Sequence, residues 1–498
     1  MERRIRWLGV FILACFGLLF LQLNKVQIAN ASKLANAPGN PRVIQKIQDA
    51  TRGRVLSSDG QVLAQSILSP NYSINCNCDK YIRQYPSGSL FEGVVGFSSP
   101  IYGMTGIEAQ YSTNLEAHNK PVTALGDLLA SPSVTDDVTL TLSGSLQSLA
   151  QKELGQQAGA VVVLNPSTGA VEAMYSSPNF DPNGLASPYS KMEQDTYKQA
   201  GTPLIMQNGG SFTPLNPIAE VGASAPGSTF KIVTTAAAYD LAPQYVNYQF
   251  PYLTQTPLPE TNLLFHNYGF ESCGGDIAQL LPPSCDTGYA LLGLKIGGPN
   301  LTAEAEGFGF NKIPPIDLPT NKYWQSTFPQ PSTFAASPPD LAYSAIGQQD
   351  VTASALQMAL VAAGIADQGV IMTPHVMDQI RDSQGQLVKQ YQPTPWLTAT
   401  SPATASAVGL LMHQVAVASN GTAAGIFPNS WDVAAKTGTA EVGVNSQLTN
   451  DWMVAFAPQS QPKVAVAVFL PDQPVDATGA SNSGPIIKAM LQAALAMP

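Results

Sequence analysis

The chain has 498 residues, 44% of them hydrophobic, enough for roughly two or three domains with a sizeable core. Only 12% are charged, and 34 acidic against 24 basic side chains give a net charge of −10, so no basic surface marks a nucleic-acid binder. The 4 histidines are scattered and the 5 cysteines lack zinc-ligand spacing, so no metal or cofactor is expected.

The first predicted element is a membrane anchor. Trp7 to Leu23 is apolar apart from Gly9, Gly17 and Gln22, and Arg3, Arg4 and Arg6 precede it. A spanning helix needs about 20 apolar residues, within a range of roughly 17 to 25. Flanking arginines stay on the cytoplasmic side. The reading is a cytoplasmic tail at 1–6, a single-pass span at 7–23 and an extracytoplasmic remainder. The rival is a leader cleaved at Ala29-Asn30-Ala31, but the apolar run is longer than a usual leader core. Residues 24–47 are polar and read as a juxtamembrane linker or helix. Asp59-Gly60 lies between two short apolar stretches, a hairpin signal. Gly106 to Tyr111 opens another short element. Residues 24–136 read as a spacer domain without a nucleophile–base pairing, and its Cys76 and Cys78 are too close for an easy bridge.

The pattern changes near Asp137, so 137–498 reads as a second domain. Val138 to Leu142 alternates as a strand, and Leu146 to Leu154 has helical spacing. Two strands follow, Ala160–Leu164 and Ala170–Tyr175, joined by the turn Asn165-Pro166-Ser167-Thr168-Gly169. A largely helical middle includes Ala353–Gln368, while the Ser- and Pro-rich stretches 207–227 and 313–340 read as loops. Three apolar runs close the chain, Val433–Thr437, Trp452–Ala457 and Val464–Leu470, and a helix follows at about Pro485–Ala496. Strands at both ends with helices between them predict an α+β domain with an antiparallel sheet built from both chain ends and flanked by helices.

The chemistry sits in three short strings: Ser228-Thr229-Phe230-Lys231, Ser284-Cys285-Asp286 and Lys436-Thr437-Gly438-Thr439. Each is weak alone; order, spacing and context carry the weight. A second S-x-x-K, Ser460 to Lys463, is interrupted by Pro462 and reads as accidental. Pro226-Gly227 breaks the chain before Ser228, and the apolar residues that follow predict a buried helix. Lys231 then lies one turn from Ser228 on the same face, desolvated, with its pKa lowered toward that of a usable base. The pair makes a nucleophile and its activator without histidine. Lys436-Thr437-Gly438-Thr439 ends an apolar strand, where a cation and two hydroxyls can take a carboxylate and Gly438 lets a substrate backbone lie close. The N–H groups of Ser228 and Thr439 are candidates for an oxyanion hole. Cys273 and Cys285, twelve residues apart, either bridge and clamp the loop at Ser284 or remain free thiols.

These strings resemble the class B penicillin-binding proteins, the peptidoglycan D,D-transpeptidases, in a short actinobacterial-type form. The likeness extends to Arg52–Ala64, Gly106–Tyr111, Gly159–Asn183, Gly307-Phe308-Gly309, Ile346-Gly347-Gln348, Leu356–Ala359 and Ala457-Pro458. It implies the penicillin-binding transpeptidase fold, with a five-stranded antiparallel sheet flanked by helices, a small N-terminal spacer of the dimerisation type and one transmembrane helix. It implies that Ser228 attacks a D-Ala-D-Ala stem peptide, that Lys231 takes its proton, and that Ser284 relays a proton to the leaving amine. Lys436, Thr437, Gly438 and Thr439 would then hold the terminal carboxylate. The partners implied are an acceptor amine, β-lactams and a membrane glycosyltransferase of the shape, elongation, division and sporulation (SEDS) type.

Three positions depart from the family pattern: Asp286 stands where asparagine is usual, Ala435 precedes the K-T-G in place of glycine, and Gln349 replaces a glycine. An ionised aspartate accepts but does not donate hydrogen bonds, and it favours a charged Lys231. The competing readings are a hydrolase with the same serine and lysine (a D,D-carboxypeptidase or serine β-lactamase) and a catalytically weak scaffold in a cell-wall complex.

Overall fold

A computed structural model describes residues 2–29, 50–70, 80–119, 133–187, 189–206, 211–222, 224–262, 264–442 and 448–497. In helix α1 (Glu2–Asn24) the large apolar side chains from Trp7 to Leu23 are exposed, and Arg6–Gln27 is long and apolar enough to cross a membrane. Most of the expected linker, together with Cys76 and Cys78, lies outside the described residues.

Strands β1 (Val55–Leu56) and β2 (Val62–Leu68) form the hairpin expected around Asp59-Gly60, and β3 (Tyr81–Gln84) continues it. Strand β4 (Asp137–Leu140) pairs in parallel with β1, a partnership that local pattern could not reveal. Helix α2 (Gly144–Leu154) is capped by Ser143, whose hydroxyl accepts from the Leu146 N–H. Next come β5 (Gly159–Leu164) and β6 (Val171–Ser177), joined by the expected turn. All six residues of β5 are buried, which is why they read as a continuous apolar run.

Helix α3 (Lys231–Leu241) follows Ser228, α4 (Asp286–Ile296) follows Ser284, and α5 (Ala355–Ala366) is buried at every residue. A helix apolar all round belongs in a core; α5 packs against β5 and against the strand Val464–Pro474. Strands β7 (Met377–Arg381) and β8 (Leu387–Gln390) return to the first sheet, whose order is β8-β7-β4-β1-β2-β3. Helix α6 (Pro402–Val417) precedes β9 (Ala434–Val442), β10 (Leu448–Ala457) and β11 (Val464–Pro474), and α7 (Gly479–Leu495) ends the fold. These three strands join the two earlier ones in a five-stranded antiparallel sheet, β6-β5-β11-β10-β9. Helices α2 and α7 pack on this sheet, which is the flanking by helices that the strand–helix pattern predicted, and they also pack against each other.

Two expectations change. Stretch 313–340 is not all loop, because Pro331–Ala336 and Pro338–Ser344 are short helices that begin on proline. Proline lacks an N–H that the first helical turn would leave unpaired anyway, so it starts a helix as readily as it breaks one. The last helix begins at Gly479 rather than near Pro485, which it carries inside.

Candidate active site

Ser228 lies in a 3₁₀ turn, Gly227–Phe230, that runs into α3. In such a turn residues i and i+3 eclipse, so Lys231 shares the face of Ser228. Several contacts fix the turn. The Gly227 N–H donates to the Gly347 carbonyl at 2.9 Å, and Trp452 Nε1 donates to the Ala225 carbonyl at 2.9 Å. Phe230 packs between Phe310 and Phe328. Ser228 is half-buried and lines a cleft of about 1060 Å³ with Ser284, Asp286, Thr437 and Thr439. Among the described residues its hydroxyl has no hydrogen-bond partner, leaving it open to the cleft.

Lys231 and Lys436 are both fully buried and converge on one oxygen. Lys436 Nζ lies 2.8 Å from Ser284 Oγ, and Lys231 Nζ lies 3.2 Å from it. Lys231 also donates to the Ser284 carbonyl at 2.7 Å and to Asp286 Oδ1 at 2.6 Å, and Lys436 donates to the Thr437 carbonyl at 2.9 Å. Burial pushes both lysines below their ordinary pKa. For Lys231 the Asp286 carboxylate works the other way; for Lys436 the neighbouring Lys231 deepens the fall. Lys231 thus has three oxygens within hydrogen-bond reach, whereas Lys436 has two and, among the described residues, no carboxylate in contact.

Ser284 takes a left-handed backbone, φ 59°, which costs a non-glycine residue about 1–2 kcal/mol. The surroundings hold it there. Cys273 and Cys285 form a disulfide with a Cα–Cα separation of 5.8 Å. This ties α4 to an arm of two small hairpins, Phe250–Leu253 with Cys273–Gly275 and Gln255–Pro257 with Leu264–His266. The arm also reaches Asp286 directly, since the Tyr268 N–H donates to its Oδ2 at 3.3 Å. Asn267 anchors the arm: its side chain donates to the Leu253 and Glu271 carbonyls and accepts from the Thr287 N–H. Sequence reading passed over Asn267 and Tyr268, because their bonds to Thr287 and Asp286 span 20 and 18 residues and no local pattern announces them.

The K-T-G string lies on the edge strand β9. A side chain at Gly438 would meet the Pro226 carbonyl at 2.8 Å and Thr229 at 3.0 Å. The glycine therefore lets the strand close on the turn that carries Ser228, and the space left by its missing side chain is filled by that turn rather than left open. Lys436 points inward to Ser284, while Thr437 and Thr439 line the cleft. Thr437 Oγ1 meets Thr422 Oγ1 at 2.7 Å, and Thr439 Oγ1 accepts from the Gly479 N–H at 3.2 Å. Gln349 also lines the cleft, with φ 60°, a conformation that glycine would adopt without strain. Ser460 is exposed, with its hydroxyl on Asp432, and takes no part in the cleft.

Comparison with known proteins bears on this arrangement. The model of the penicillin binding protein transpeptidase domain matches residues 159–492, and that of the penicillin binding protein A dimerisation domain matches residues 52–131. The chain is 31% identical to the peptidoglycan D,D-transpeptidase PbpA of Mycolicibacterium smegmatis and 30% identical to PbpA of Mycobacterium tuberculosis, over 99% of each chain in both cases. Penicillin-binding protein A from M. tuberculosis, solved as a ceftriaxone acyl-enzyme complex, superposes with a TM-score of 0.79 at 29% identity, covering 91% of this chain and 100% of that one. The D,D-transpeptidase domain of a peptidoglycan glycosyltransferase from Eggerthella lenta gives a TM-score of 0.72 at 31% identity, covering 89% and 99%.

Proposed function

The chain belongs to the class B penicillin-binding proteins, and on that premise we propose that it is a serine-type peptidoglycan D,D-transpeptidase. Ser228 Oγ attacks the carbonyl carbon of the penultimate D-Ala of a donor stem peptide, and its proton passes to Lys231. The N–H groups of Ser228 and Thr439 take the oxyanion. The peptide C–N bond breaks as Ser284 hands a proton to the leaving D-Ala nitrogen and regains one from the lysine pair. An ester on Ser228 remains. The amine of a neighbouring stem peptide then attacks it, the new amide forms, and Ser228 recovers its proton. Thr437 and Thr439 face the terminal carboxylate, with Lys436 supplying charge from behind Ser284. β-Lactams enter by the same first step.

The observation that carries this reading is the convergence of two buried lysines on Ser284 Oγ beside an open, unpartnered Ser228 hydroxyl. The proposal includes a single-pass anchor at residues 7–23 with the arginines cytoplasmic and the cleft extracytoplasmic. It also includes a SEDS-type membrane glycosyltransferase as the source of the glycan strands. The full chain, given nascent uncross-linked peptidoglycan, should release D-Ala and form dimeric stem peptides in equal amounts, read by mass spectrometry. Release of D-Ala without dimers would make it a carboxypeptidase.

A further inference from the structure

Asp451 is fully buried on β10, and no basic side chain pairs with it among the described residues. A lone buried carboxylate is costly unless hydrogen bonds replace its water. Here they do: Thr449 Oγ1 donates to Oδ1 at 3.0 Å, and Asn482 Nδ2 donates to Oδ2 at 2.9 Å. Ser483 Oγ adds a bond to the Asp451 carbonyl at 3.2 Å. Burial still pushes the carboxyl up to about 6, with Thr449 and Asn482 holding it down. Asn482 and Ser483 belong to the first turns of α7, so Asp451 fastens the start of that helix to the sheet.

What this start touches gives the clamp a purpose. Asp451 is the cross-strand partner of Thr439. The first N–H of α7, from Gly479, donates to Thr439 Oγ1. Gly479 fits so tightly that a Cβ would lie 2.1 Å from the Trp452 carbonyl and 2.4 Å from the Gly438 carbonyl. Thr478 and Ala480 line the cleft beside Thr439. With a lone pair occupied by Gly479, the Thr439 hydroxyl hydrogen is free to point into the cleft, where an anionic substrate group would accept it.

We propose that Asp451 is a positioning residue for substrate carboxylate recognition: through Asn482 it sets the first turn of α7, and Gly479 in turn orients the Thr439 hydroxyl. The proposal rests on the transpeptidase reading, in which Thr439 faces the terminal carboxylate. Asp451 itself touches no substrate. Its influence is confined to substrates that carry the carboxylate, which separates it from a residue that merely holds the fold.

The test is the second-order rate of acylation of the full chain in detergent micelles by benzylpenicillin and by its methyl ester, which lacks the negative charge. Asp451→Ala should slow acylation by the free acid about tenfold and leave the ester rate essentially unchanged. Asn482→Ala, which removes the other end of the link, should show the same selectivity, whereas Asp451→Asn, whose amide oxygen can still accept from Asn482, should acylate with both compounds near the unsubstituted rate. In a Thr439→Val background, Asp451→Ala should cause no further loss, because the two act on one contact. Equal losses on acid and ester, or losses that multiply with Thr439→Val, would overturn the proposal and leave the transpeptidase reading intact. Failure of the unsubstituted chain to react with either compound would overturn both.

Discussion

Two places in this molecule bury two basic side chains near one carboxylate, and they serve opposite ends. In the N-terminal part, Glu108 receives Arg52 Nε at 3.1 Å and Arg83 Nε at 2.5 Å, with all three residues buried. In the cleft, Asp286 meets Lys231, and Lys436 follows one oxygen further on. Burial pushes the Glu108 carboxyl up, but the two guanidinium groups outweigh it and hold it below its ordinary value. Arginine keeps its proton at any working pH and its planar fork suits a carboxylate, so this cluster is a permanent rivet between Arg52, β3 and the Gly106–Gln110 helix. Lysine can lose its proton when desolvated, so the second cluster can move one. Charge count is similar in both; side-chain type and an open wall at Ser228 separate structure from chemistry.

The comparison can be pressed from its strongest consequence to its weakest. Lys436→Met should cut β-lactam acylation by about 10²–10⁴-fold while leaving the melting temperature equal or higher, since an apolar chain avoids burying an amine. A clear drop in stability with intact acylation would show that the lysine is a rivet after all. Glu108→Ala should do the reverse. It strands two buried guanidinium groups and should cost about 3–5 kcal/mol by chemical denaturation, while the remaining folded protein acylates at the normal rate. Asp286→Asn probes the boundary between the two cases. The carboxylate raises the Lys231 pKa against burial, so its removal lets that pKa fall and enlarges the neutral fraction at pH 7. Acylation should rise, by at most about tenfold for each tenfold gain in the lysine's acidity, and the acid limb of its pH profile should move to lower pH. Collapse of acylation would give the carboxylate a role of its own.

Much of this was legible in the sequence, for identifiable reasons. Each of the five strands of the central sheet contains a buried, mainly apolar stretch, and their position at both chain ends implied antiparallel closure. The order of Ser228, Ser284 and Lys436 pointed to one cleft, and the structure gathers them there. What escaped depends on contacts between distant segments. The parallel pairing of β1 with β4 joins residues more than eighty apart. The stretches at Arg52 and Gly106 were visible as family likeness, but not as halves of one ion cluster. Gly438 was read as room for substrate, yet its space is filled by the turn that carries Ser228. The apolar run was read as starting at Trp452, one residue after Asp451, so the carboxylate fell outside the expected strand and its place against the start of α7 stayed hidden.

The most direct test of the whole account is to incubate the full chain with a fluorescent penicillin, beside its Ser228→Ala variant, and to map the adduct by peptide mass. The account predicts one stable penicilloyl ester on Ser228, retained for many minutes and missing from the variant. Label on another residue, label that persists in Ser228→Ala, or a folded chain that takes no label would contradict it.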